Sequence, residues 1–362
     1  MHGARLLAAL TRKRPGLKAF GMGGPRLREA GLDADVASES HSVVGISEVF
    51  GKIPAFARAL SKLEEGARRR SPDAAVLIDF PDFHSFLARR LRRLRIPLIY
   101  YVSPQVWAWR RGRARKIARQ ASKIITLFPF EVEIYRRLGA DAVCAGHPLV
   151  DDVREGLEMP SPLGPKTRRR LVLLPGSRAS ELQRHWEPMA AAAARLARRL
   201  DLELAAVRAP GLSESLFARA AERDIRVVTS GMHALLATAD LAFVASGTAT
   251  LESALCGTPM VVVYRTSPVS YAVGRLLVDV RWISLVNIVA GEEVVPELLQ
   301  RDVTAQRLEE EGSALLGSPE RIRRMREGLA RASARLGPPG ASDRAADAVI
   351  EALDSAARSK TT

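Results

Sequence analysis

LAFVASGTATLESAL, residues 241–255, is the stretch on which the reading of this chain turns. Leu241-Ala242-Phe243-Val244-Ala245 is a continuous apolar run, the pattern of a parallel strand buried on both faces. The run breaks at Ser246-Gly247-Thr248 and resumes with good helix formers from Ala249 to Leu255. A strand, a tight Gly turn and a helix start leave backbone N–H groups at the carboxyl end of a sheet. An α/β fold binds phosphate there, because those N–H groups and the helix dipole both favour an anion. Ser246, Thr248 and Thr250 add hydroxyls. Glu252, about one turn into the helix, is placed to accept from sugar hydroxyls. An ordinary capped strand-to-helix turn has the same pattern, so neighbouring segments must discriminate.

On the N-terminal side the same logic recurs. Residues 170–174 read as a strand, Pro175-Gly176-Ser177 as a turn and Arg178 as the mouth of a long helix. Arg suits the bidentate clasp of a pyrophosphate. Strands predicted at 202–207, 225–228 and 259–265 alternate with helices at 214–222 and 232–237. Further on, Asn287 interrupts the apolar segment 283–291. A buried amide there needs a partner, and a substrate is one candidate.

The first half repeats the alternation. Residues 1–10 read as a helix and 18–21 as a short strand. Across residues 43–60 the apolar positions Val49, Phe50, Ile53 and Phe56 fall near one helical face, either a core stripe or a ridge resting on a membrane. The strand at 73–79 ends on Asp79, where active sites of α/β folds form, so Asp79 is the candidate general base. Asp82 and His84 follow it; Asp82 also reads as a helix N-cap. A strand at 96–103 leads to Trp107 and Trp109, which line a pocket or close the core. Strands at 123–128 and 142–145 follow, the latter ending at His147, a hinge or substrate group or a structural histidine. The Pro-rich segment 159–165 reads as a linker. The expectation is an α/β chain of two Rossmann-like doubly wound domains facing across a cleft, 1–158 and 166–336, with a C-terminal helix at 337–362.

Composition excludes several classes. No apolar run reaches the ~18 residues of a membrane-spanning helix. The apolar core at residues 6–10 is too short for a signal peptide, so cytosolic synthesis is the expectation. Cys144 and Cys256 are too few for a disulfide framework or a zinc site. The net charge of +15 favours polyanionic surfaces. With aromatics at 5% and no RNA- or DNA-reading motif, nucleic acid is not the expected partner.

A set of motifs in fixed order then resembles the lipid-A-disaccharide synthase family. They are GMGGPRLREAG (21–31), VVGISEV (43–49), LIDFPDF (77–83), YYVSPQVWAWR (100–110), LFPFE (127–131) and AGHPLVD (145–151). LLPGSR (173–178), ASGTATLE (245–252), SLVNIVAG (284–291) and VPELLQ (295–300) complete the set. The resemblance implies a GT-B type inverting glycosyltransferase acting in lipid A biosynthesis without metal or other cofactor. Its substrates would be UDP-2,3-diacylglucosamine and 2,3-diacylglucosamine 1-phosphate, its products the β(1→6) disaccharide and UDP.

By the same resemblance Asp79 is the base. Arg178, Ser246, Gly247 and Thr248 meet the pyrophosphate, Glu252 the ribose, and Asn287 the nucleotide or sugar. Asp82, His84, Trp107 and His147 are acceptor-side candidates. Acylated anionic substrates favour the membrane reading of Val49, Phe50, Ile53 and Phe56, hence peripheral attachment to the cytoplasmic face of the inner membrane. A homodimer is left open. The Asp33-Ala34-Asp35 triplet resembles a metal-binding acid pair by chance. Family members begin with a strand and a Gly-Glu-x-Ser-Gly-Asp turn ahead of His2-Gly3-Ala4, which this chain lacks. The expected consequence is a vacant slot in the first sheet, from a misassigned start codon or a damaged protein. The alternatives are a non-catalytic sugar-nucleotide or lipid-binding remnant, or another UDP-sugar enzyme such as a UDP-N-acetylglucosamine 2-epimerase.

Overall fold

In the computed structural model, which describes residues 2–37, 53–103, 112–268, 271 and 281–361, every strand pairing is parallel. The chain divides into two units, Met1–Pro148 with Pro338–Thr362, and Leu149–Gly337. The break thus falls ahead of the expected linker. The closing helix, expected as a separate piece, belongs to the first unit.

The first unit runs α1 (His2–Lys13), β1 (Phe20–Gly23), α2 (Pro25–Glu29), β2 (Asp33–Ala37), α3 (Ile53–Arg70), β3 (Ala75–Ile78), α4 (Pro81–Arg93), β4 (Leu98–Tyr101), α5 (Gly112–Gln120), β5 (Lys123–Thr126), α6 (Pro129–Arg136) and β6 (Ala142–Cys144). Strands β3-β4-β5-β6 form one sheet in that order, and β1-β2 a separate pair. Strands β4 and β5 are buried along their whole length, as an apolar run predicts. Strand β2, DADVA, has no counterpart in the sequence reading. Its acids are tolerated because Arg70 holds Asp33 at 3.0 Å and Asp35 at 2.6 Å, so this triplet is an ion-pair site.

Among the described residues, β1 pairs with β2 alone and β3 with β4 alone. A cavity of about 1120 Å³ is lined by both strands, by Leu6, Leu7 and Leu10 of α1, and by Leu87 and Leu91 of α4.

The second unit runs α7 (Leu149–Leu157), β7 (Arg169–Leu174), α8 (Ala179–Leu200), β8 (Leu202–Val207), β9 (Ile225–Val228), α9 (Met232–Ala237), β10 (Leu241–Ala245), α10 (Thr248–Leu255), β11 (Met260–Tyr264), α11 (Leu285–Ala290), β12 (Glu297–Leu299), α12 (Ala305–Leu316) and α13 (Pro319–Ala334). The helix expected at 214–222 is instead two short 3-10 turns, Glu214–Phe217 and Ala221–Arg223, separated at Arg219, whose φ of 61° cannot continue a helix. The last helix, α14 (Ala341–Thr361), packs on α1 of the first unit. Arg12 pairs with Asp343, Lys13 with Asp347 at 2.6 Å, and Arg14 with Asp354 at 3.0 Å. Lys123, buried on β5, reaches Glu351 of the same helix at 2.7 Å.

The second sheet has the order β12-β11-β10-β7-β8-β9. The chain starts in the middle at β7, grows outward to β9, then returns to β10 on the other side. The switch point therefore lies between β7 and β10. At that point the two crossover helices leave on opposite faces and open a crevice at the strands' carboxyl ends.

Candidate active site

In the first unit, Asp79 sits directly past the carboxyl end of β3, exposed, with its N–H donating to the Tyr101 carbonyl at 3.3 Å. Asp79 and the next residue, Phe80, both take left-handed backbone, with φ of 52° and 48°. Each such residue costs about 1 kcal/mol or more, and strain of this kind gathers where a side chain must be aimed. Phe80 opens α4, and no side chain caps the helix. Asp82, read as an N-cap, instead pairs with Arg113.

The Asp79 carboxylate lies near two histidines. His84 is held down to about 4 by burial, which the adjacent Asp79 only partly offsets; His2 is lowered chiefly by burial too. The Nδ1 atoms of both rings are buried with no hydrogen-bond partner among the described residues. His147 is fully buried and lowered to about 4 by burial and by His2; it packs on Phe128 at 5.4 Å and on His2 at 6.3 Å. Trp107, Val49 and Phe50 lie outside the described residues, as does the Ile53 side chain. Phe56 is half-buried, 5.8 Å from both Phe80 and Phe83. It belongs to the aromatic core under the Asp79 turn, which corrects its reading as a membrane contact.

In the second unit both strand–Gly–helix turns come to the switch point. Gly247 has a φ of 152°, a region that side chains avoid, and a Cβ there would meet nothing within 4 Å. The backbone conformation alone demands glycine. Beyond it the N–H groups of Gly247, Thr248 and Ala249 have no acceptor among the described residues. These are the free donors of a helix start. The hydroxyls divide differently from expectation. Ser246 Oγ donates to the Ile283 carbonyl at 3.0 Å and Thr250 Oγ1 to the Gly247 carbonyl at 2.8 Å. Thr248 is exposed. Glu252 is mostly buried and accepts from His233 Nε2 at 3.1 Å.

The turn after β7 is closed. Glu181 accepts from the N–H groups of Ser177 at 2.8 Å and Arg178 at 3.2 Å, and pairs with the Arg178 guanidinium at 2.9 Å. His185, buried one turn further along α8, reaches the Pro175 carbonyl through Nδ1 at 2.9 Å. Its Nε2 accepts from the N–H of Arg265 at 3.0 Å. An acceptor at Nε2 fixes the tautomer with the proton on Nδ1. Burial holds this imidazole below its ordinary value, and the Pro175 carbonyl opposes the shift.

Asn287 is completely buried with its capacity taken up inside the chain. Its amide donates to the Val295 carbonyl and to Glu297, both at 2.9 Å, and its oxygen accepts from the N–H groups of Val294 and Val295. It has no donor left for a nucleotide, which corrects its reading as a substrate contact. Glu297 also accepts from the N–H groups of Ile283 and Ser284 and from the Ser284 hydroxyl. Glu297 thereby fixes the loop whose Ile283 carbonyl holds Ser246. Glu181, His185, His233 and Glu297 had no role in the sequence reading. The only signal for Glu181 was its place three residues after Arg178, the spacing of a capping box.

A strand order with its switch point between two glycine turns defines a doubly wound α/β unit, and solved structures share the fold. CalG4, the calicheamicin glycosyltransferase, superposes with a TM-score of 0.63 at 14% identity, over 97% of this chain and 94% of that one. A UDP-N-acetylglucosamine 2-epimerase from Listeria monocytogenes, itself assigned by inference, superposes at 0.64 and 14% identity, over 98% and 93%. At such identities the likeness is one of fold, and the fold is that of the GT-B glycosyltransferases.

The family itself follows from the sequence match. The model of the lipid-A-disaccharide synthetase family covers residues 1–348. The lipid-A-disaccharide synthase of Anaeromyxobacter dehalogenans (strain 2CP-C) is 44% identical over 358 residues, spanning 97% of this chain and 94% of the relative. That of Myxococcus xanthus (strain DK1622) is 42% identical over 369 residues, with the same two shares. The chain belongs to this family of glycosyltransferases.

Proposed function

We propose that the chain transfers the sugar of UDP-2,3-diacylglucosamine to 2,3-diacylglucosamine 1-phosphate, forming the β(1→6) lipid A disaccharide and UDP. The observation that carries this is the open turn at the switch point: free N–H groups at Gly247, Thr248 and Ala249, with Glu252 one turn along the same helix. Asp79 takes the proton from the acceptor's 6-hydroxyl. That oxygen forms its bond to the donor's C1 from the face opposite the phosphate. The C1–O bond to the pyrophosphate breaks, and UDP leaves with the electron pair. The open N–H groups and the dipole of α10 receive the charge that develops there. Arg178 adds a mobile cation, since its exposed pair with Glu181 is worth little and is readily exchanged for a diphosphate. Glu252 accepts from the ribose.

Asp79→Asn tests the assignment with both lipid substrates and UDP release as readout. Turnover should fall about 10³-fold while UDP affinity holds. Unchanged turnover removes Asp79 from the mechanism.

Among the described residues no helix is long and apolar enough to cross a membrane. We place the chain peripherally on the cytoplasmic face of the inner membrane through α4. Phe86, 55% exposed, shares a helical face with exposed Arg89 and Arg93. Sedimentation with anionic vesicles should weaken on Phe86→Ser and at high salt. Equal binding to neutral vesicles removes the electrostatic part.

A non-catalytic sugar-nucleotide binder is the second reading, since the open N–H groups of the turn after β10 would hold a nucleotide diphosphate whether or not transfer follows. It predicts UDP binding with no disaccharide formed by the unaltered chain.

A further inference from the structure

We propose that His233 is a positioning residue for Glu252, held in place by α7; this rests on the reading that Glu252 meets the ribose. Glu252 and Thr248 stand four residues apart on α10, hence on one face, about 6 Å from each other. A diphosphate on the open N–H groups brings its ribose to that distance. A carboxylate there must present one oxygen to the sugar and be kept from turning away.

His233 does the second task. Its Nε2 lies 3.1 Å from Glu252 Oε1. An ionised carboxylate only accepts, so Nε2 carries the proton and Oε2 is left for the sugar hydroxyls. The ring is walled on the far side by Gly156 of α7. A Cβ built on Gly156 would lie 2.0 Å from Nδ1 and 2.8 Å from Cγ of the imidazole. Gly156 has ordinary helical backbone, so the imidazole, not the conformation, requires the missing side chain. The backbone of His233 is tied down as well, its carbonyl accepting from Cys256 Sγ–H at 3.6 Å, one turn after Glu252. Three elements, α7, α9 and α10, therefore converge to fix one carboxylate. Fixing it before the ligand arrives removes an ordering cost from binding.

The test is calorimetry on the full chain with UDP and with 2′,3′-dideoxy-UDP. The unaltered protein should prefer UDP, and Glu252→Ala should lose that preference. His233→Ala should weaken UDP about tenfold and leave the dideoxy ligand unchanged. His233→Gln, which still donates from a similar position, should restore most of the preference. Gly156→Ala, which displaces the ring while leaving the His233 and Glu252 side chains themselves unaltered, should reproduce the loss. Equal weakening of both ligands in His233→Ala, or full preference in Gly156→Ala, overturns the proposal. Full preference in Glu252→Ala overturns the ribose reading instead. Should His233→Ala fail to fold, the His233→Gln and Gly156→Ala pair decides.

Discussion

The turns after β7 and β10 are built to one plan and do opposite things. Each is a buried strand, a glycine at positive φ and a helix start, and they flank the same switch point. After β10 the first N–H groups of the helix are open. After β7 they are closed by Glu181, whose carboxylate occupies the position an anion would take. The glycines record the difference. A Cβ on Gly176 would lie 2.6 Å from Glu181 Oε2, whereas one on Gly247 would meet nothing. A helix start binds a ligand only when the protein has not already supplied the anion. One turn is therefore a receptor; the other is a rigid frame carrying Arg178 on its rim.

The sharpest way to break this contrast is Gly247→Val. A β-branched residue cannot hold a φ of 152°, so the donors should scatter and UDP affinity fall about 100-fold, read by calorimetry. Unchanged affinity would put the diphosphate elsewhere. Arg178→Ala should cost about tenfold in UDP affinity, through loss of one charge-assisted contact, with the melting temperature nearly constant. Glu181→Ala should do the reverse. Losing a cap lowers stability by about 1 kcal/mol, seen in urea unfolding, while UDP affinity stays level. Tighter UDP binding in that variant would show the two turns to be equivalent and dissolve the comparison.

The smallest effect is in pH. His185 is neutral and depressed in the folded chain and titrates at its ordinary value of 6.5 when unfolded. The unfolded state thus binds the extra proton first. Its stabilising contribution is complete above about 6.5 and is lost as pH falls toward the folded value. Melting temperature between pH 7.5 and 5 should therefore fall less steeply in His185→Gln than in the unaltered chain. Parallel slopes would remove His185 from the acid sensitivity.

The contrast also shows which features were legible in advance. Strand β10, its turn and its helix could be read from residues 241–255 because strand burial and helix propensity are local. Asp79 was legible for the same reason, as an acid closing an apolar run. Strand β12 was not, since three residues carry too little pattern. Nor was β2, whose acids need Arg70 from another element. Asn287 was correctly marked as a buried amide in need of partners, and its partners lie at Val294, Val295 and Glu297. The open or closed state of each turn, the engaged hydroxyls of Ser246 and Thr250, and the His233 contact were equally hidden.

Local patterning was enough to establish the alternation of strands and helices, the parallel sheets and the positions of the glycine turns, and the ordered set of motifs gave the family by resemblance. Folding settled which polar groups remain free for a ligand. Hydrogen-bond capacity is finite, and whether it is used up depends on which side chains arrive from elsewhere in the fold. Glu181, His185 and Glu297 all answer that question through contacts that no run of adjacent residues displays.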